Sequence, residues 1–417
     1  MHNRGVLSKS RFRILQLRGG PDGPLLDVFA EELRQSGFAK ITARRHIRAA
    51  EHLLYWAKRK GVLPTTFDEQ TLDEFARHLH QCRCKNYGHT HRPDLHNGAR
   101  LFVGSLRRAG LLSIPSVQKV VEDPHVLVLF RDWMRRHRGT SDATLYNYNH
   151  HLRALLKTVG DDTSKFEARS LRQFVQQTSQ GCGWATGKQC TTSVRAFLRY
   201  LIADGKCAAG LDACIPALAH WRLSSLPRYL QPEEVERVIA ACSATLEAGL
   251  RDRAILLLLA RLGLRAGDIL RLCLSDLDWK EATLRVVGKG RRQTLLPMTQ
   301  EVGDGLVAYI KDGRHPIDND TLFIRSRAPF GPFASHCAIS VIVAQAMRRA
   351  GVRCPSRGAA HVLRHSVASS MLRQGASLQE IAGVLRHRSI ATTEIYAKVD
   401  VIALREIAQP WPEATSC

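Results

Sequence analysis

Residues 361–365 read His-Val-Leu-Arg-His, within a stretch whose apolar positions recur at helical spacing. His361 and Arg364 are three residues apart, so a helix over Ala360–Arg373 places their side chains on one face. Such a pair, taken alone, is more often a solvated helix face than a reactive site. Its meaning therefore depends on what the rest of this half of the chain supplies.

Two further basic residues precede this helix in positions that suit phosphate binding. Arg265 lies between two predicted helices, immediately before the second, Ala266–Cys273. Lys289 stands between two glycines at the tip of a predicted hairpin, whose strands are Thr283–Val287 and Gln293–Pro297. Guanidinium and ammonium groups both bind phosphate oxygens, so these two residues extend the candidate site.

Downstream of the helix, a histidine precedes a tyrosine by nine residues. In this order the groups resemble the catalytic signature of the tyrosine recombinase (phage integrase) family, which runs Arg, Lys, His-x-x-Arg, His or Trp, then Tyr. The matching positions are Arg265, Lys289, His361, Arg364, His387 and Tyr396. The sequence departs from the family pattern at Arg386, where glycine is common, and at Gly267 and Asp268, where Pro or Ala and Glu are frequent.

The resemblance implies that Tyr396 attacks a DNA phosphodiester. The chemistry of the matching residues agrees with this role. Attack gathers negative charge on the nonbridging oxygens, which the guanidinium groups of Arg265 and Arg364 can stabilise without a metal. Tyrosine must lose its proton as it attacks, so His361 is the expected base.

Two residues remain for the phosphate and the leaving group. His387 can donate to a phosphate oxygen, and Lys289 can protonate the departing 5′-oxygen as a general acid. The product is a 3′-phosphotyrosine, which stores the energy of the broken bond and needs no ATP for rejoining. The sequence contains no phosphate-binding loop of the Gly-x-x-x-x-Gly-Lys-Ser/Thr type, and we assign no cofactor and no metal.

The charge balance points to double-stranded DNA as the partner. Lys and Arg number 61 against 38 Asp and Glu, which gives a net charge of +23. Of these 61 basic residues 47 are arginine, whose planar guanidinium binds phosphate in bidentate fashion. This excess of arginine favours nucleic acid over a membrane surface. No apolar run approaches the ~18 residues of a membrane span. Eleven cysteines without framework spacing fit reduced thiols, so we expect a cytoplasmic protein that is nucleoid-associated when bound.

The predicted fold is mainly α, with a small β-sheet in the C-terminal domain. We expect helical core-binding domains followed by a catalytic domain like that of tyrosine recombinases. The predicted boundaries are a basic leader at 1–24, a helical module at 25–115, a core-binding domain at 116–212, a linker at 213–228, the catalytic domain at 229–411 and a tail at 412–417.

The two helical modules share a spacing of apolar residues. Phe67, Leu72 and Phe75 recur as Phe166, Leu171 and Phe174, which favours a duplicated module, although any two four-helix units share amphipathic spacing. Within the catalytic domain the helical pattern continues to the end, and predicts a last helix over Ile390–Val399.

One cluster in the first module raises the question of zinc. Its members are His78, His80, Cys82, Cys84, His89 and His91. Their spacing is not that of a common zinc finger, so the favoured interpretation is a basic, polar loop against DNA, with a structural zinc as the alternative.

The leading hypothesis is a site-specific recombinase of the integrase or transposase type, encoded by a mobile element. A catalytically silent DNA-binding factor and a type IB topoisomerase are the alternatives. Exchange of two duplexes needs four cleavages, so we expect a tetramer on paired sites, with the need for partner recombinases left open. Val401, Leu404, Ile407 and Trp411 would dock this tetramer through an apolar face.

Overall fold

The computed structural model describes Gly20, Tyr87 and residues 22–84, 92–112, 123–218, 227–288, 293–355, 358–387 and 389–399. Two compact units are present: one contains the described residues of 1–115 and 225–417, and the other those of 116–224. The described chain is mainly helical with one small sheet, which confirms the predicted fold class. Among these residues, no helix has both the length and the apolar character that crossing a membrane requires.

The N-terminal module consists of four helices around one apolar core. They are α1 (Gly23–Gln35), α2 (Lys40–Lys60), α3 (Glu69–His80) and α4 (Arg92–Arg108), with a 3₁₀ turn at Pro64–Thr66 between α2 and α3. Leu26, Phe29 and Leu33 are buried on one face of α1, as their spacing predicts. The ring of Phe29 meets that of Phe102 edge-on, with 5.3 Å between the centroids.

The second unit repeats this order of elements. Its helices are α5 (His125–Arg138), α6 (Asp142–Val159), α7 (Ala168–Gln180) and α8 (Trp184–Ala203), with a 3₁₀ turn at Thr163–Lys165 between α6 and α7. Phe130 meets Phe197 edge-on at 5.3 Å, in the same relation as the aromatic pair of the first module. A duplicated module would produce this common order, and duplication stays a prediction.

The C-terminal part carries seven α-helices within its described residues. They are α9 (Pro232–Ala240), α10 (Glu247–Ala260), α11 (Ala266–Arg271), α12 (Gln300–Ala308), α13 (Cys337–Arg349), α14 (Ala359–Arg373) and α15 (Leu378–Val384). Residues Leu256 to Leu259 of α10 are all fully buried, because the second half of this helix lies in the domain core and is apolar on every side.

Three antiparallel strands form the sheet in the order β1 (Leu277–Asp278), β2 (Thr283–Val287) and β3 (Gln293–Pro297). The two longer strands match the sequence prediction residue for residue. Alternation decides their placement, because Leu284 and Val286 are fully buried while Arg285 between them is exposed.

The last predicted helix is wrong. Residues 390–399 form two 3₁₀ segments, Ile390–Thr392 and Glu394–Val399, in place of one α-helix. Four of the six residues from 390 to 395 are β-branched, which lowers helix propensity. The hydroxyl of Thr393, between the segments, also bonds to another side chain.

Candidate active site

Arg364 is the most buried basic side chain of the predicted site, with 4 % of its surface exposed. From α14 its guanidinium donates to two backbone carbonyls, those of Gly263 and Leu385. Gly263 has a φ of +57°, and a Cβ there would lie 2.7 Å from the side chain of Leu385. Glycine is therefore favoured where these segments meet. One buried arginine thus joins the segment before Arg265 to the segment before His387.

Arg265 caps the start of α11, with a third of its side chain exposed. Its guanidinium donates to the backbone carbonyl of Arg386 at 3.3 Å. The carboxylate of Asp268, one turn later and 2 % exposed, accepts from the backbone N–H of Arg265 at 3.4 Å and from Arg271 at 3.0 Å. The partly exposed guanidinium of Arg265 remains available to a phosphate.

Arg386 contributes a third guanidinium to this site. It pairs with Asp268 at 2.9 Å, and its side chain is 10 % exposed. Its Nε and Nη1 atoms are buried and have no hydrogen-bond partner among the described residues. Burial lowers the pKa of Arg364, and the charges of Arg265 and Arg386 lower it further. Arg265, Arg271 and Arg386 all pair with the one carboxylate of Asp268, and Arg364 adds a fourth guanidinium, so the site has an excess of positive charge that an anion can neutralise.

Tyr396 lies in the second 3₁₀ segment with 1 % of its surface exposed. Its ring packs among Ala368, Ile381 and Leu385. The hydroxyl oxygen lies 2.8 Å from Nδ1 of His365. The hydrogen-bonding partner of this hydroxyl is therefore His365 rather than the predicted His361.

The pKa values at this pair have clear physical causes. Burial raises the pKa of Tyr396, while the nearby charges of Arg364 and Arg265 lower it. Burial lowers the pKa of His365 to about 4, with further lowering by His361 and Arg364. His365 is therefore neutral near pH 7 and has a nitrogen that can accept a proton.

His387 follows α15 and is half-buried. Its Nδ1 atom lies 2.8 Å from the hydroxyl oxygen of Thr393, which is fully buried. Burial lowers the pKa of His387 to about 4, and Arg364 and Arg265 lower it further. A neutral imidazole with Nδ1 bound to Thr393 leaves Nε2 for a phosphate oxygen.

The remaining predicted residues are one exposed histidine and the lysine. His361 is exposed at the start of α14, one turn from His365, with 6.4 Å between the ring centroids. Partial desolvation lowers its pKa, as do Arg364 and Arg265. Lys289 lies outside the described residues, between the paired strands β2 and β3.

Four residues that contribute to this geometry have no role in the sequence prediction: His365, Asp268, Arg386 and Thr393. His365 belongs to the same His-Val-Leu-Arg-His stretch as His361, yet only folding brings it to Tyr396, 31 residues away. The one available signal was the arginine at 386 in place of a common glycine, together with an acidic residue at 268.

Comparison with known proteins gives the same identification. Residues 228–401 match the model of the phage integrase family. Over 405 residues the chain is 33% identical to y4rA of Sinorhizobium fredii, described as an integrase/recombinase, which covers 94% of this chain and 96% of that protein. It is 30% identical over 295 residues to tyrosine recombinase XerC of Mycobacterium tuberculosis, with 68% of this chain and 96% of XerC covered.

A solved structure has the same fold. The crystal structure of a lambda integrase (75–356) dimer bound to a COC′ core site superposes with a TM-score of 0.53 at 18% identity. The match covers 69% of this chain and 99% of that one.

Proposed function

The chain belongs to the phage integrase family of tyrosine recombinases, which cleave and rejoin DNA, and from this premise we propose that Tyr396 forms a covalent bond to a DNA 3′-phosphate at specific sites. The observation that carries the proposal is the buried Arg364, which joins the segments of Arg265 and His387 beside the pocket of Tyr396. A positively charged pocket next to a tyrosine hydroxyl suits attack on a phosphodiester.

The reaction is a transesterification that conserves bond energy. The Tyr396 oxygen forms a bond to phosphorus as the bond to the 5′-oxygen breaks, and Lys289 gives a proton to that oxygen. A 5′-hydroxyl of the exchanged strand then attacks the phosphotyrosine and releases the tyrosine. This sequence needs neither ATP nor a metal ion.

The described geometry favours His365 as the acceptor of the tyrosine proton. It is neutral near pH 7 and already bonded to the hydroxyl of Tyr396. His361, exposed on the helix that carries Arg364, would instead contact the phosphate. Because Tyr396 is almost wholly buried, its segment must shift when DNA binds.

We further assign the biological role to strand exchange for a mobile element, as an integrase or transposase. The relative y4rA, whose name describes an integrase/recombinase, aligns across the N-terminal module as well as the catalytic part. The module at 25–115 and the core-binding domain at 116–212 would hold duplex DNA against the catalytic domain, and a tetramer would act on paired sites. The apolar residues predicted to dock protomers, at 401–411, lie outside the described residues.

The test is a covalent-adduct assay on selected DNA. DNA duplexes that bind the full chain are selected from a random pool. They are then resynthesised with a nick, so that the covalent adduct is trapped after cleavage. Wild-type protein should form an adduct that survives detergent, and Tyr396→Phe should bind DNA but form none, because it lacks the attacking oxygen.

Tyr309→Phe is the matched control, since Tyr309 is equally buried in the same domain and its hydroxyl accepts from the backbone N–H of Ile324 at 3.1 Å. This variant should keep its adduct. An adduct in Tyr396→Phe would overturn the assignment. Binding without any wild-type adduct would favour a silent DNA-binding factor, and relaxation of plasmids without exchange would favour a topoisomerase.

A further inference from the structure

Four side chains of types that bind metal lie together in the N-terminal module. They are His52, His78, Cys82 and Cys84. One nitrogen or sulfur atom from each lies within 4.8 Å of those of the other three. His52 comes from α2, His78 from α3, and the cysteines from the segment that follows α3. The cluster thus draws together three parts of the chain.

The distances within the cluster match those between ligands of one zinc ion. Sγ of Cys82 lies 3.4 Å from Nε2 of His52, and Sγ of Cys84 lies 3.4 Å from Nε2 of His78. Zinc binds sulfur at about 2.3 Å and nitrogen at about 2.0–2.1 Å, so tetrahedral geometry separates the two by about 3.5 Å. Both nitrogen–sulfur pairs therefore need little movement to share a metal ion.

The cluster lies largely among aromatic side chains, with the charged groups of Arg59 and Lys60 nearby. His52 is fully buried and its ring stacks on that of Tyr87, with 4.6 Å between the centroids. The ring of His78 lies 6.1 Å from that of Trp56, and Cys84 is buried. An ion bound among these groups would be shielded from water on several sides. Such enclosure is typical of structural zinc sites rather than catalytic ones, which keep a position open.

We propose that His52, His78, Cys82 and Cys84 bind one Zn²⁺ as a structural site of the Cys₂His₂ class. Two thiolates neutralise the charge of the ion, and two neutral imidazoles complete the tetrahedron. The ion ties α2 to the end of α3 and to the segment that follows it. Its binding free energy contributes directly to the stability of the N-terminal module.

The proposed site takes up the zinc alternative for the cluster that the sequence pattern indicates, with a different set of ligands. His80 is exposed and is not one of the four, while His89 and His91 lie outside the described residues. The missing ligand is His52, 26 residues before His78, which no finger-like spacing would include. The sequence pattern could not indicate His52, because this residue comes near His78 only through the packing of α2 against α3.

The first experiment measures zinc in the full chain, expressed with zinc in the medium and purified under reducing conditions without chelator. Plasma mass spectrometry should find about one zinc per chain in wild type. Cys84→Ser should lose at least half of it, since a site with three strong ligands binds more weakly. His80→Ala and Cys337→Ser are matched controls, an exposed histidine near the cluster and an exposed cysteine elsewhere, and should keep one zinc.

The second experiment uses only wild-type protein, so it stands even if Cys84→Ser fails to fold. Chelator-stripped protein is titrated with Co²⁺, which should give the strong visible bands of a tetrahedral ion and a thiolate charge-transfer band, saturating at one equivalent. X-ray absorption of the zinc form should show two sulfur and two nitrogen neighbours. Zinc well below a tenth of an equivalent, octahedral cobalt spectra, or full zinc in folded Cys84→Ser would each overturn the proposal.

Discussion

Arg386 has a backbone conformation that glycine adopts more readily. Its φ is +53°, in the left-handed region, which costs a residue with a Cβ about 1–2 kcal/mol. This explains why glycine suits the position in the family that the sequence resembles. The arginine adds a buried ion pair with Asp268, so the strain at one residue is offset by a contact 118 residues away in sequence.

We predict that Arg386→Gly destabilises the catalytic domain despite relieving this strain. Breaking a buried pair by removing one partner costs about 3–5 kcal/mol, more than the roughly 1–2 kcal/mol regained from the backbone. Arg271 still bonds to Asp268, which reduces the loss, so a net cost of about 2 kcal/mol is expected. The thermal midpoint of the variant should fall measurably below that of wild type.

A double-mutant comparison separates the pair from the backbone. Asp268→Asn alone should also lower the midpoint, and Arg386→Gly should cost less when combined with it, because no buried carboxylate is then left with a partner missing. An Arg386→Gly protein at least as stable as wild type would show that the ion pair contributes less than the strain.

The site was predictable to the extent that its residues follow one another in a fixed order. Arg265, Arg364 and His387 could be named from sequence, and Arg364 bonds to the carbonyls of Gly263 and Leu385, which precede Arg265 and His387 by two residues each. The partner of Tyr396 could not, because His361 and His365 occupy the same short helical stretch, and only packing decides which of them reaches the tyrosine.

Among the elements, the 3₁₀ segments at 390–399 link His387 to Tyr396, the two residues proposed to act on the phosphate. Thr393 stands between them, and its hydroxyl is 2.8 Å from Nδ1 of His387. If the hydroxyl donates to Nδ1, the single proton of the neutral imidazole stays on Nε2, where it can bond to a phosphate oxygen. In that arrangement Thr393, placed by the irregular backbone, would favour the tautomer of His387 that can bind phosphate.

We therefore predict that Thr393→Val slows cleavage by roughly tenfold to a hundredfold, the range seen when the partner that orients a functional imidazole is removed. Valine keeps the volume and the branched shape, so folding should be preserved. Single-turnover rates of adduct formation measure the effect, and Thr393→Ser, which keeps the hydroxyl, is the control. A valine variant as fast as wild type would mean that Thr393 plays no part in the chemistry.

The sequence predicted elements best where one signal acted alone. Alternating residues placed both hairpin strands. The helix Gln300–Ala308, continued by a π-helical turn at Tyr309–Gly313, was missed because polar and glycine residues interrupt its apolar face. Helical spacing alone mispredicts residues 390–399, because it takes no account of the lower helix propensity of β-branched residues.

The whole molecule contains several histidines that burial keeps neutral. Each has a pKa lowered from 6.5, with burial as the largest cause: His46, His151, His365 and His387. In the unfolded chain these groups take up protons as the pH falls below about 6.5. In the folded chain His365 and His387 do so only near pH 4.

Between these limits the unfolded state binds more protons than the folded state, so stability must fall as the pH decreases. We predict that the thermal midpoint drops steadily from pH 7 to pH 5 in the absence of DNA, before carboxylates with lowered pKa values become protonated. Loss of zinc from the N-terminal module would add to this drop in both proteins. The test therefore compares the slope of thermal midpoint against pH in wild type and in a variant. A variant with His365→Asn and His387→Asn removes two titrating groups. Its thermal midpoint should fall less between pH 7 and pH 5 than that of wild type. Equal slopes in the two proteins would show that these histidines do not titrate differently on folding, and that the acid sensitivity arises elsewhere in the chain.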